Sequence, residues 1–246
     1  MNTHVCWRHL LLLCFVAMAS RADWDEGGSF KMHWPQLPNP NGWDINVSDY
    51  TLADDWQCTE TGPVKQVHIW ISWTNDFVGI ITNVHLSIHL NFPGPPYSHP
   101  AVLIWQDNFG PGQFVMRPYA SGVQGWYDPI SNWWHFPDHA MIFQLNIPLK
   151  LTEPFTQQAG TIYWLDVKLS VISGLAGWKT SMSPHFMDDA TVWNSAQSLW
   201  QELRNPEEPT ESLDLAFVID PVPEPATMTL LGAGLLGLLL RRRACY

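Results

Sequence analysis

An all-β body, built as an antiparallel β-sandwich of jelly-roll-like type, is what this sequence predicts. Three observations carry that class. Five runs alternate apolar and polar residues with period two, as strands with one buried face do. Turn signals rich in Gly, Pro, Asn and Asp separate the runs. Helical periodicity is confined to one short stretch of the body, residues 195–204.

Taken in order, residues 1–22 read as a secretory signal peptide. Arg8 and His9 precede the apolar run Leu10 to Ala19, and Ala17 with Ala19, or Ser20 with Ala22, give the spacing that signal peptidase needs. Residues 23–42, rich in Gly, Pro and Asn, read as an extended arm. The sandwich is expected over 43–220. Its clearest strands hold Val67, Ile69, Ile71 and Trp73, then Val84, Leu86, Ile88 and Leu90. Next come Met141 to Leu149 and Tyr163 to Val171, and last Leu213, Leu215, Phe217 and Ile219. Shorter strands are expected at 50–56, 101–106, 113–117, 132–136 and 175–182. Leu199, Trp200 and Leu203 recur at helical spacing, so 195–204 is expected to form a short helix. Asn41-Gly42, Gly62-Pro63, Pro93-Gly94, Gly110-Pro111, Asp128-Pro129 and Ser173-Gly174 mark turns.

The last segment, 221–246, has three parts. Val222, Pro223, Glu224 and Pro225 form a rigid stretch with a single acid. Ala226 to Leu240 follows without a charge. At about 1.5 Å per residue it makes a helix of roughly 22 Å, short against a hydrocarbon core of about 30 Å. Arg241, Arg242 and Arg243 then hold the end on the cytoplasmic side. Arg8 orients the first segment the same way. Both ends therefore export the body.

Charge sharpens the picture. The 246 residues carry 23 acids against 12 bases, a formal charge of −11. Residues 23–222 hold 22 of those acids and 7 of the bases, a net of −15. That surface repels phosphate backbones and argues against nucleic acid as a partner. Charged residues are only 14% and apolar ones 46%, which suits a packed core rather than disorder. Cys58 is the sole cysteine of the body, so no disulfide forms within it and no CxxC site exists.

The order Pro223-Glu224-Pro225, short apolar helix, arginine cluster resembles the PEP-CTERM sorting signal of Gram-negative bacteria. The resemblance implies an exosortase as processing partner, a membrane-embedded cysteine protease or transpeptidase. Signal peptidase would act at the other end, with transient anchoring in the inner membrane. The destination implied is the cell surface or extracellular matrix, often with exopolysaccharide and biofilm. The body resembles a secreted bacterial domain of unknown function. KMHWPQLP from Lys31, WDINV from Trp43, LADDWQCTETGPV from Leu52, GTIYWLDV from Gly160 and SLDLAFVID from Ser212 carry this likeness. It implies a shared fold and brings no activity.

Four constellations are candidates for chemistry. Asp54-Asp55 and Asp188-Asp189 are paired acids that would suit a structural calcium, which takes 6–8 oxygens; solvated turn-capping acids give the same pattern. His85 and His89 share a strand face, but i and i+4 lie roughly 13 Å apart on a strand. They cannot share one zinc, whose nitrogen ligands sit at about 2.0 Å. Trp70 and Trp164 oppose the apolar series of their strands, and Trp126, Trp133 and Trp134 lie in a loop-rich region. Exposed, such rings stack on sugar faces; buried, they would form a second core layer. Cys58 with His68 is a weak nucleophile pair. No GxSxG, HExxH or P-loop motif is present. The expectation is a non-catalytic exported module that needs no cofactor beyond calcium and associates with polysaccharide. A secreted polysaccharide-acting hydrolase is the alternative, and it requires two convergent carboxyls.

Overall fold

The structure, a computed structural model, describes residues 23–150 and 154–220. The expected signal peptide at 1–22, the expected short transmembrane helix at 226–240, Val222 to Pro225 and Arg241 to Arg243 lie outside the described residues. The strands are β1 (Trp43–Asn46), β2 (Leu52–Gln57), β3 (Gly62–Pro63), β4 (Gln66–Trp73), β5 (Ile81–Phe92), β6 (His99–Phe109) and β7 (Val115–Asp128). They continue as β8 (Trp133–Pro148), β9 (Thr156–Gln157), β10 (Ile162–Val171), β11 (Ala176–Lys179), β12 (Thr191–Asn194), β13 (Leu199–Glu202) and β14 (Phe217–Asp220). A single 3-10 turn at Thr74–Asp76 is the helical element among the described residues.

Two six-stranded sheets form, as a β-sandwich requires. The first runs β11-β1-β7-β8-β4-β14, and the second β13-β12-β2-β10-β5-β6. Alternation places Ile69, Ile71, Leu145 and Ile147 of the first against Leu52, Leu86, Ile88, Leu165 and Val167 of the second, in one cluster. Trp56 of β2 meets Phe217 of β14 across the gap at 6.3 Å. Burial of each such side chain stabilises by about 1.5–3 kcal/mol.

The first sheet departs from a flat antiparallel layer. β11 pairs with β1 and also with β4, where Ala176 to Trp178 face Trp73 to Ile71, so five strands close into a partial barrel. Closure uses a parallel pairing of β1 with β7, at Trp43 to Ile45 beside Gly125 to Tyr127. The face that alternation marks as outward thereby becomes a second interior. β4 is buried at every position. The arm seals part of this interior: Trp24 packs edge-on against Trp70 at 6.1 Å, and its carbonyl accepts from Gln144 Nε2. Further along, bridges Met32 to Cys58 and Gln36 to Phe217 tie the arm to both sheets.

The helix expected over 195–204 is absent. That stretch is the β12–β13 hairpin. Asn194 Oδ1 accepts from the backbone N–H groups of Ala196 and Gln197, Ser198 takes a positive φ of 53°, and Trp193 faces Trp200 across the ladder. The turn chemistry of Asn194 overrides the apolar spacing. The separate strands expected at 132–136 and 141–149 are one strand, β8. It pairs with β7 around a turn in which Asp128 Oδ1 accepts from Ile130 and Ser131.

Candidate functional site

The outer face of the second sheet carries a cleft of about 720 Å³. Its floor follows from strand parity. On β10 the core takes Leu165 and Val167, so Asp166 faces outward; on β5 the core takes Leu86 and Ile88, so His85, Ser87 and His89 do. The register sets Asp166 beside Ser87 and Lys168 beside His85. Asp166 Oδ2 accepts from Ser87 Oγ at 3.2 Å and meets His89 Nε2 at 3.0 Å. His89 Nδ1 lies 3.0 Å from the Ala101 carbonyl oxygen.

The β12–β13 hairpin raises one wall, with Trp193 and Trp200 packed at 5.4 Å and 61°. Pro96 and Tyr97, from the β5–β6 connection, and His99, the first residue of β6, raise the other. The Tyr97 hydroxyl donates to the Trp200 carbonyl at 2.8 Å and links the walls at one end. Asp188 anchors this wall by accepting from the Ser98 N–H at 2.8 Å.

Electrostatics single out Asp166. Burial raises its pKa, opposed by the hydrogen bond and charge of His89. Burial works against a charged His89, yet the hydrogen bond and charge of Asp166 leave its pKa raised. Asp166 Oδ1 is buried and has no hydrogen-bond partner. Asp166 is the single carboxylate among the cleft-lining residues.

The tryptophans expected to bind sugars divide. Trp70 and Trp164 are fully buried and Trp126 is 1% exposed. Closure of the first sheet buries Trp70 and Trp126, and Trp164 is held by Asn91 Oδ1. Trp133 and Trp134 are exposed, with Trp134 edge-on to Trp43 at 5.7 Å. None of the five lines the cleft. Trp193 and Tyr97, which do, carried no mark in the sequence beyond their residue type, and Trp200, which also does, read as part of a helix because the apolar spacing of 195–204 concealed a hairpin.

The paired acids are held by the protein itself. Asp54 accepts from the Leu215 N–H and from Gln36 Nε2 at 3.0 Å. Asp189 takes Ser212 Oγ and pairs with Arg204 at 2.7 Å. Asp55 is buried with neither carboxyl oxygen bonded, and burial, with Asp214 and Asp188 nearby, holds its pKa well above the usual carboxylate range. Among the described residues no group of three or more His, Cys, Asp or Glu is arranged to hold a metal ion. Cys58 is buried, and burial pushes its thiol pKa up, which disfavours the thiolate. His68 is turned toward Asn146.

Comparison with known proteins gives two matches. Residues 32–220 match the model described as Domain of unknown function (DUF7901), and residues 221–243 match the PEP-CTERM protein-sorting motif. No curated protein and no solved structure matches the chain.

Proposed function

The chain belongs to the family described as Domain of unknown function (DUF7901), and we propose that this member is a non-catalytic, polysaccharide-binding module of the cell surface or extracellular matrix. Its PEP-CTERM motif implies export, membrane-associated sorting and an exosortase as processing partner. A removable signal peptide and a short transmembrane helix that pauses in the inner membrane complete the proposed route.

One observation carries the binding reading: a cleft with aromatic walls lies over a buried carboxylate oxygen that lacks a donor. Sugars offer this pairing of C–H faces and hydroxyl donors. Jelly-roll-like sandwiches, which include many lectin domains, suit that use. The net charge of −15 over residues 23–222 favours neutral glycans over polyanions. A hydrolase would need a second carboxyl some 5–9.5 Å from the first, and the cleft lining offers Asp166 alone.

Affinity electrophoresis of the purified full chain through gels cast with neutral and acidic polysaccharides tests the reading. Retardation is expected in at least one neutral gel and is lost in Trp193→Ala. Unaltered mobility of the wild type in every gel overturns it.

A further inference from the structure

The closed part of the first sheet encloses a second set of chemistry-bearing groups. Asp44 on β1 and Lys179 on β11 are direct cross-strand partners, and both are fully buried. Lys179 Nζ lies 2.8 Å from Asp44 Oδ2 and 2.9 Å from the Gly42 carbonyl oxygen. His139 of β8 sets Nε2 2.8 Å from the same Asp44 Oδ2, and its Nδ1 meets Asp138 Oδ2 at 2.8 Å. Asp44 Oδ1 has no partner.

The packing leaves these groups nowhere to go. A Cβ added to Gly177, two residues before Lys179 on the same face, would come within 2.7 Å of Asp44 Cβ and 2.9 Å of the Trp126 ring. A bare glycine here lets the indole close over the pair. An ion pair so enclosed has lost its hydration, and one of its oxygens gains nothing in return.

We propose that Lys179 and Asp44 join in an intramolecular isopeptide bond, formed by the fold itself with His139 as proton relay. The balance is complete within the site. The ammonium passes one proton to the carboxylate, and the freed Nζ lone pair attacks Asp44 Cγ. A C–N bond forms, a C–O bond breaks, and one oxygen leaves as water. Of the three protons on the ammonium, one stays on the amide nitrogen and two depart with that oxygen, the second through His139. No oxidant or reductant takes part.

Two physical facts favour the product. Burial pushes the Lys179 pKa down against the opposing pull of Asp44, which eases loss of its proton, while Lys179 and His139 outweigh burial and hold the Asp44 carboxyl below its ordinary value, so that the proton settles on the oxygen only as it departs. The neutral amide then removes two buried charges. The bond would tie positions 135 residues apart, in a body whose lone cysteine rules out an internal disulfide. Such a long closed loop strongly restricts the unfolded chain.

Denaturing intact-mass analysis of the full chain, wild type beside Lys179→Arg, tests the proposal. Any trimming of the termini shifts both alike. The wild type is expected to be lighter than its own sequence, after that trimming, by one water. Lys179→Arg should keep its full mass and melt lower. Asp44→Asn should lose one ammonia instead, because its carboxamide releases nitrogen as the leaving group. Fragmentation of a digest should yield a branched peptide joining the segments around Asp44 and Lys179. If the variants fail to fold, that peptide from the wild type still decides. A wild type at full mass with two linear peptides overturns the bond, and a fully cross-linked His139→Gln overturns the relay.

Discussion

His89 and Asp166 hold a proton between them. The Ala101 carbonyl can only accept, so His89 Nδ1 carries its own hydrogen, and Nε2 at 3.0 Å from Asp166 Oδ2 shares the other. This arrangement fixes the imidazole and leaves Asp166 Oδ1, buried at the cleft floor, without a donor. Asp166→Asn alters the charge of the pair and the acceptor together. A hydrogen bond to a charged group contributes about 1.5–3 kcal/mol, and about 1.4 kcal/mol is tenfold in affinity. The variant is therefore expected to bind its glycan roughly ten- to a hundredfold more weakly. Titration by affinity electrophoresis, with near-ultraviolet dichroism to confirm the fold, checks this. Undiminished binding removes Asp166 from the site.

The same pair contributes to a pH dependence. Asp166 and His89 both have raised pKa values in the fold, the first through burial and the second because Asp166 outweighs burial. His139 is raised because Asp44 and Asp138 outweigh burial, and His185 is raised by Asp214. A raised pKa means that the folded chain binds the proton more tightly than the unfolded one. That stability is present below the ordinary value and is lost as pH rises through the folded value. His33 opposes this, since burial pulls it from 6.5 to about 3, so its contribution grows with pH and levels off only well above 6.5. Well above 6.5, once His33 has levelled off, the raised histidines act in one direction, and melting temperature is expected to fall as pH rises further. A melting temperature that climbs there contradicts the assignment.

Trp70 and Trp133 separate two kinds of tryptophan. Trp70 is fully buried between Trp24 and Tyr119, whereas Trp133 is 56% exposed. Trp70→Ala is expected to destabilise by about 3–5 kcal/mol through the cavity it leaves. Trp133→Ala should stay within about 0.5 kcal/mol. Urea denaturation of the two variants measures both. Equal losses would mean that the β8 end is packed in solution.

These residues also show what was legible in the sequence. The alternation of Val67, Ile69 and Ile71, and of Leu165 and Val167, reports the sandwich because each strand has one face in the core. It misplaces Trp70 because closure of the first sheet is non-local: β11 meets β4 a hundred residues away, and no local pattern encodes that. For the cleft, the parity that sends Asp166, Ser87 and His89 outward is readable. The wall is not, because Trp193 and Trp200 are brought together by an Asn194 turn inside a stretch with helical spacing. The sorting motif is wholly legible because an enzyme reads it as linear sequence.

Asp55 offers a test of the second sheet's acidic side. Its carboxyl is buried, lacks any hydrogen bond, and has its pKa raised by burial, then by Asp214 and Asp188. The folded chain therefore loses stability from this group as pH rises above the ordinary value of 3.8. Asp55→Asn removes the ionisation and should stabilise at neutral pH, by about 1.4 kcal/mol for each pH unit over which the wild-type carboxyl is held protonated. The gain should shrink toward acid pH, where the wild-type carboxyl is already protonated. Thermal melts of both proteins across pH decide it. A destabilised variant at neutral pH would mean that Asp55 meets a cation, and melts repeated with excess calcium would then identify it.

Glu224 is the last position to test, and the argument there is one of sidedness. It is the lone acid of residues 221–246, held between Pro223 and Pro225, whose rings fix the backbone around it. Arg241, Arg242 and Arg243 lie beyond the apolar stretch and prefer the cytoplasmic face. On the proposed route the carboxylate would be left on the far side of the membrane, where the processing enzyme would meet it. Replacing Glu224 with Ala keeps both prolines and the uncharged stretch but deletes the one acid before it. The variant is expected to stay in the membrane fraction with residues 226–246 attached. The wild type should leave without them. Intact masses of both proteins from the native host read this directly, and identical trimming of the two would show that processing does not depend on the acid.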